Sequence, residues 1–143
     1  DYTIRAKVTE GLNLASALKQ DMGSMYASDG MNGVAAFAAQ VAANPPQSKY
    51  VSGIAIAAAT GVITVTYNSA NIGNAVAANS TLVLTPYLNA SGTITTLAAA
   101  PAGATGSVDW ACASTTSAAA TARGLTGALA GTLNPRFAPA ECK

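Results

Sequence analysis

Along the first 28 residues apolar side chains recur every three or four positions: Ile4, Val8, Leu12, Ala15, Leu18, Met22 and Met25. That spacing sets them on one face of an α-helix, with Arg5, Lys7, Glu10, Lys19 and Asp21 mostly off it. No proline interrupts the run, and Gly11 and Gly23 each weaken a helix by only about 1 kcal/mol relative to alanine. At a rise of about 1.5 Å per residue the stretch Asp1 to Ser28 spans roughly 40 Å, so it needs a body of its own size to pack against. No methionine, signal peptide or capping turn precedes the stripe, and the helix is expected to continue one that begins upstream.

The next segment, 29–49, reads as a connector. Asp29-Gly30-Met31-Asn32-Gly33 is a turn signal and Asn44-Pro45-Pro46 stops any helix, while Val34, Phe37 and Val41 between them share one face of a short helical run. From Tyr50 the period changes to two. Val51–Ala57 and Val62–Tyr67, separated by Ala59-Thr60-Gly61, predict a β-hairpin whose Ile63, Val65 and Tyr67 face the helix. Residues 68–79 read as a polar loop. A third strand holds Leu82 and Leu84, with Pro86 marking an edge or an end. Gly92–Leu97 predicts another short strand, and Ser107–Ser114 a last one with Val108, Trp110 and Cys112 on one face. Beyond Cys112 the pattern fades into a small-residue loop with a helical turn expected around Ala122–Ala130. A helix followed by an antiparallel meander of roughly four strands makes the fold class α+β, laid out over one 1–143 domain as helix 1–28, connecting loop 29–49, sheet 50–112 and C-terminal loop 112–142.

Composition narrows the chemistry. Charged residues are 9% of the chain and the net charge is +1, which excludes a nucleic-acid binder acting through bulk charge. No apolar run reaches the roughly 20 residues of a membrane span. There is no histidine, so His-based triads, His metal sites and the commonest general base are absent, and the carboxylates Asp1, Glu10, Asp21, Asp29, Asp109 and Glu141 are scattered. No catalytic residue, metal site or cofactor is assigned, and the chain is not read as an enzyme. Cys112 and Cys142 are too few and too far apart for zinc. In an oxidising compartment they pair and close the C-terminal loop; otherwise they are two buried thiols. Arg123, Arg136 and Lys143 lie in or beside that loop against Glu141 alone, a basic surface that a DNA- or glycan-binding module would use; as solvated rim charges they have no such role.

Three stretches carry a resemblance. The opening Asp1-Tyr2-Thr3-Ile4-Arg5, the strand end Trp110-Ala111-Cys112 and the closing Phe137-Ala138-Pro139-Ala140-Glu141-Cys142 together resemble the type IVa major pilins of gammaproteobacteria. The resemblance implies a pilin fold, the long helix packed on the sheet with the C-terminal loop closed by a Cys112–Cys142 disulfide. It implies a hydrophobic half-helix upstream of Asp1, missing from this sequence, that anchors the subunit in the inner membrane before assembly. It implies a structural subunit that polymerises with its own kind into a retractable extracellular fibre for twitching motility, adhesion, biofilm formation and DNA uptake, served by an assembly machinery in the inner membrane, with host surfaces and DNA as further partners. Ile4, Val8, Leu12, Leu18 and Met22 are then the helix-packing residues and Trp110 a core anchor beside the disulfide. The alternatives are a minor pilin and a type II secretion pseudopilin; the latter usually lacks this cysteine pair and often holds calcium in a carboxylate cluster, which this chain does not show.

Overall fold

A computed structural model describes all 143 residues. Helix α1 runs Tyr2–Ala43, broken at Asp29 and Gly30, whose backbones leave the helical region. Gly30 takes φ 57° and ψ −142°, a conformation that is essentially glycine's alone, so the turn signal read at this point is a break inside a longer helix. The short helical run expected around Val34, Phe37 and Val41 is thus the second limb of this helix, residues 31–43, inside the segment 29–49 expected as a connecting loop. Val34, Phe37, Ala38 and Val41 bury one face of this second limb, and the helix stops at Asn44, before Pro45.

The antiparallel sheet, expected with roughly four strands, has five: β1 Val51–Ile56, β2 Ile63–Tyr67, β3 Thr81–Ala90, β4 Thr93–Thr96 and β5 Ser107–Ala113. The β1–β2 hairpin has Ile54 opposite Val65 and Ile56 opposite Ile63. Strand β3 is central and long. Its first half, Thr81–Leu84, pairs with β2, its second half, Tyr87–Ala90, pairs with β4 on the same edge, and β5 pairs with it from Val83 to Asn89 on the other. Pro86, expected at an edge or end, sits in the middle of this central strand. It is tolerated because it lies opposite Trp110 on one side and, on the other, in the gap between the last pair with β2 and the first with β4, where no ladder hydrogen bond is required of it. The loop 68–79 carries a short helix, α2 Ser69–Ile72, started by the Asn68 side chain accepting from Ala70 N–H.

One core of buried residues joins α1 to the sheet: Val8, Leu12, Ala15, Leu18 and Met22 from the helix meet Val51, Ile54, Ile63, Val65 and Tyr67 from the hairpin, with Leu82, Leu84 and Leu88 behind them. Tyr67 is the joint. Its ring lies so close to the helix that a Cβ on Gly11 would stand 2.6 Å from its Cε1, and its hydroxyl donates to the Val8 carbonyl at 2.8 Å. Burial pushes the Tyr67 phenol well above the usual tyrosine range.

The C-terminal segment serves both faces of the sheet: Leu133, Phe137, Ala138 and Cys142 join the core under α1, while residues 118–128 form a second layer on the far face. Cys112 is bonded to Cys142. Helix α3, Ala118–Ala122, lies N-terminal to the helical turn expected from sequence, and with Leu125 it covers Tyr87 and Ala111. Backbone bonds fasten this stretch along its length: Ser114 N–H to Cys142 O at 2.8 Å, Gly131 N–H to Ser114 O at 2.8 Å and Leu133 N–H to Thr81 O at 3.0 Å.

Three measurements follow. Gly11→Ala should gain helix propensity yet destabilise the protein by about 1–3 kcal/mol in denaturant unfolding, because the new methyl overpacks Tyr67 and Val51. Replacing both cysteines with alanine should cost about 2–5 kcal/mol, the range set by a loop of 30 residues and by native disulfides in small domains. A phenol whose folded pKa is raised contributes stability that is complete below the unfolded value of about 10 and is lost as pH rises past it. Unfolding on alkalinisation should therefore set in above about pH 10 and shift upward in Tyr67→Phe, monitored by circular dichroism.

Candidate functional site

The packing of α1 on the sheet consumes its apolar stripe. Val8, Leu12, Leu18 and Met22 are buried, and Ile4 is half-buried against Gly73. What these helix-packing residues pack on is the protein's own sheet, so a charge at Val8 would be placed in the protein's own core. What remains free is the opposite face, where Tyr2, Ala6, Thr9, Asn13, Ala17, Gln20 and Ser24 recur every three or four residues and are all exposed. None carries a charge. Arg5, Lys7 and Lys19 fall on the flanks toward the sheet, and the exposed Glu10 and Asp21 border the free face, Glu10 one turn from Ala6 and Asn13. Tyr2, at 85% exposure, is the most open large apolar side chain in the molecule. A straight, neutral row of small and amide side chains beside one exposed ring is a surface on which another helix can lie closely. The same wheel that revealed the buried stripe contains this face; its signal is the absence of charge.

The other sequence-predicted residues divide between separate places. Trp110, expected as a core anchor, is half-buried. It stands on the α1 side of β5 with Val108 and Cys112, but the helix opposite presents Ser16, Lys19 and Gly23, and an open hollow of about 530 Å³ is left beside the ring. The three cations of the proposed basic rim do not share a surface patch as an unopposed set. Arg136, in a 3₁₀ turn at Pro135–Phe137, forms an ion pair with Asp1, and its carbonyl accepts from Arg5 Nη2 at 3.0 Å. Arg123 donates to the Trp110 carbonyl at 3.1 Å and shares a small hollow with Glu141. Lys143 is half-buried at the chain end, its carbonyl accepting from Ala119 N–H.

Chemistry-bearing groups do not converge. No three His, Cys, Asp or Glu side chains stand close enough to hold a metal ion, and every buried side-chain polar atom has a partner. The other large hollow, about 520 Å³, lies between the break in α1 and the loop Ala100–Thr105 and is lined mostly by small side chains, with Asp29 its one charged group. No helix is long and apolar enough to cross a membrane. The outer layer exposes Leu129, at 56%, two residues after the positive-φ glycine at 127. The sequence pattern gave no warning of this residue, because a lone leucine among alanine, threonine and glycine has no period.

Comparison with known proteins agrees with this geometry. Residues 4–143 match the family model described as pilin, a bacterial filament protein. No curated protein sequence matches the chain. Among solved structures, the type IV pilin of Pseudomonas aeruginosa strain Pa110594 superposes with a TM-score of 0.90 at 37% sequence identity, over 99% of this chain and 98% of that one. Long helix, five-stranded antiparallel sheet, C-terminal disulfide and family match lead to one conclusion: this chain belongs to the pilins and has the fold of a type IV pilin, a structural subunit of a bacterial filament.

Proposed function

We propose that this subunit polymerises through the free face of α1 into a type IV pilus that is extended and retracted, and that the fibre serves twitching motility, surface adhesion, biofilm formation and DNA uptake. Before assembly the subunit stands on the inner membrane, held by a hydrophobic segment preceding Asp1, and an assembly machinery in that membrane adds it to the fibre. The observation that carries this reading is the uncharged row Tyr2, Ala6, Thr9, Asn13, Ala17, Gln20, Ser24, exposed along about 33 Å of helix at 1.5 Å per residue. In a fibre of identical subunits a single face must be buried again and again, and a face without charge avoids a desolvation cost at each repeat. Adhesive specificity belongs on the far side of the molecule, at the outer layer around Leu129, since that layer points away from α1.

The decisive test separates folding from assembly. In the full-length protein, expressed in a strain lacking its own pilin, Ala6→Glu and Ala17→Glu should remove surface filaments, while the purified heads melt within about 0.5 kcal/mol of the parent, as exposed substitutions do. Thr126→Ala with Leu129→Ser should leave filaments intact and lower adhesion. Normal filaments in both Glu variants would refute assembly through this face.

A further inference from the structure

Four of the seven lysines and arginines gather around the first two turns of α1. On one flank Arg5 and Arg136 are joined by the bond from Arg5 Nη2 to the Arg136 carbonyl, 3.0 Å. On the other flank Lys7 and Lys49 share one aromatic ring, their ammonium nitrogens 5.6 and 5.8 Å from the centre of Tyr50. Lys7 also reaches the Asn71 carbonyl at 3.4 Å, and Asn71 in turn bonds Lys49 O at 2.7 Å, so α2 and the residues before β1 hold this pair in place. Asp1 is the one carboxylate within these turns, and Arg136 engages it. Glu10 follows on the next turn, and neither Lys7, Lys49 nor Arg5 has a carboxylate within ion-pair distance. Two tyrosines complete the end: Tyr2, which is exposed, and Tyr50, which is half-buried.

We infer that this end of the head is a docking surface for an anionic lipid bilayer. The cations lie on opposite flanks of one helix, so together they form a collar around its axis. A collar meets a plane set across the axis better than it tracks a rod lying along a groove, and this favours a membrane surface over duplex DNA. Tyrosine beside lysine and arginine is the residue set of a membrane–water interface: the amphipathic ring sits at headgroup level and the cations meet lipid phosphates. The inference deepens the pre-assembly stage proposed above by naming the face of the head that rests on the lipid. Seated there, the head would stand with α1 near the bilayer normal and its free face turned outward along the membrane.

The isolated head is mixed with vesicles of phosphatidylglycerol and phosphatidylcholine and, separately, of phosphatidylcholine alone, and the bound fraction is read by sedimentation. Binding should require phosphatidylglycerol and disappear at high salt. Each cation near such a surface strengthens binding about fivefold, so Lys7→Gln with Lys49→Gln should weaken it about 30-fold, and Lys49→Gln alone, at an exposed position, about fivefold. Lys19→Gln with Arg123→Gln removes the same charge elsewhere, Lys19 being about 18 Å further along the helix, and should change binding less than twofold. Equal losses from both pairs, binding without phosphatidylglycerol, or Lys7- and Lys49-dependent retention of duplex DNA with no vesicle binding would each overturn the inference. Failure of vesicle binding in a protein that still builds filaments would overturn this surface alone and leave the assembly reading standing.

Discussion

The contact on which the rest of the structure depends is the one between Tyr67 and the helix at Val8 and Gly11. A phenol that reaches a helix backbone carbonyl needs the ring edge at backbone distance, and only a residue without a Cβ leaves that room. Once the ring is seated, β2 has one height relative to α1. The antiparallel register then carries that height to β1 through Val51 opposite Tyr67 and to β3 through Val65 opposite Leu82. The glycine that looked like a minor weakness in the helix is what allows the helix to meet the sheet at all. Its cost in propensity, about 1 kcal/mol, is small beside the burial of a tyrosine and two valines.

The split pairing of β3 is the second constraint. One strand of ten residues serves two partners in turn on the same edge, and a proline stands where the first lets go and before the second takes hold. A reader of the sequence sees Thr-Pro-Tyr and ends the strand, because proline in a central strand normally breaks a ladder. Here the fold has arranged a place with no ladder to break on that edge. Trp110, across on β5, faces the same interruption. The mouth of the hollow beside it is set by Gly23 and Gly106, which present no side chains, so its ring stays partly open where a core position was expected.

How much was legible follows from period and from closure. The buried stripe of α1, the hairpin and the strands carrying Leu82, Leu84, Val108 and Cys112 repeat regularly, and regular burial leaves regular sequence. The helical limb 31–43 was harder to read because its apolar face follows Gly30 by one turn, and a glycine beside Asp29 looks like the end of a helix and not like a bend within one. The C-terminal layer was illegible for a different reason. Leu125, Leu133 and Phe137 are each deeply buried, yet they arrive one at a time between alanine, threonine and glycine, held by backbone bonds to β3 and β5 that no side-chain pattern encodes. Sequence spacing also carries no distance information about the cations: Arg123 and Arg136 are near in sequence but bond to different elements, while Lys7 and Lys49, far apart in sequence, share a ring.

The distribution of charge on α1 bears on how a reversible polymer can be built. Its sheet-facing stripe is strongly apolar and, in water, never opens without unfolding the head. Beyond Tyr2 its free face is made of alanine, threonine, asparagine, glutamine and serine, groups that are at ease in water. When such a face is covered, each amide and hydroxyl must exchange a water for a protein partner, and the net gain per bond is only about 1 kcal/mol. A leucine-rich face would bind its neighbour more tightly and would also aggregate as a free subunit. A charged face would be repelled or desolvated at every repeat. The neutral polar face lies between these limits: in the proposed fibre it would be weak enough at one site to be undone and, multiplied along a heterologous and therefore open-ended contact, strong enough to hold.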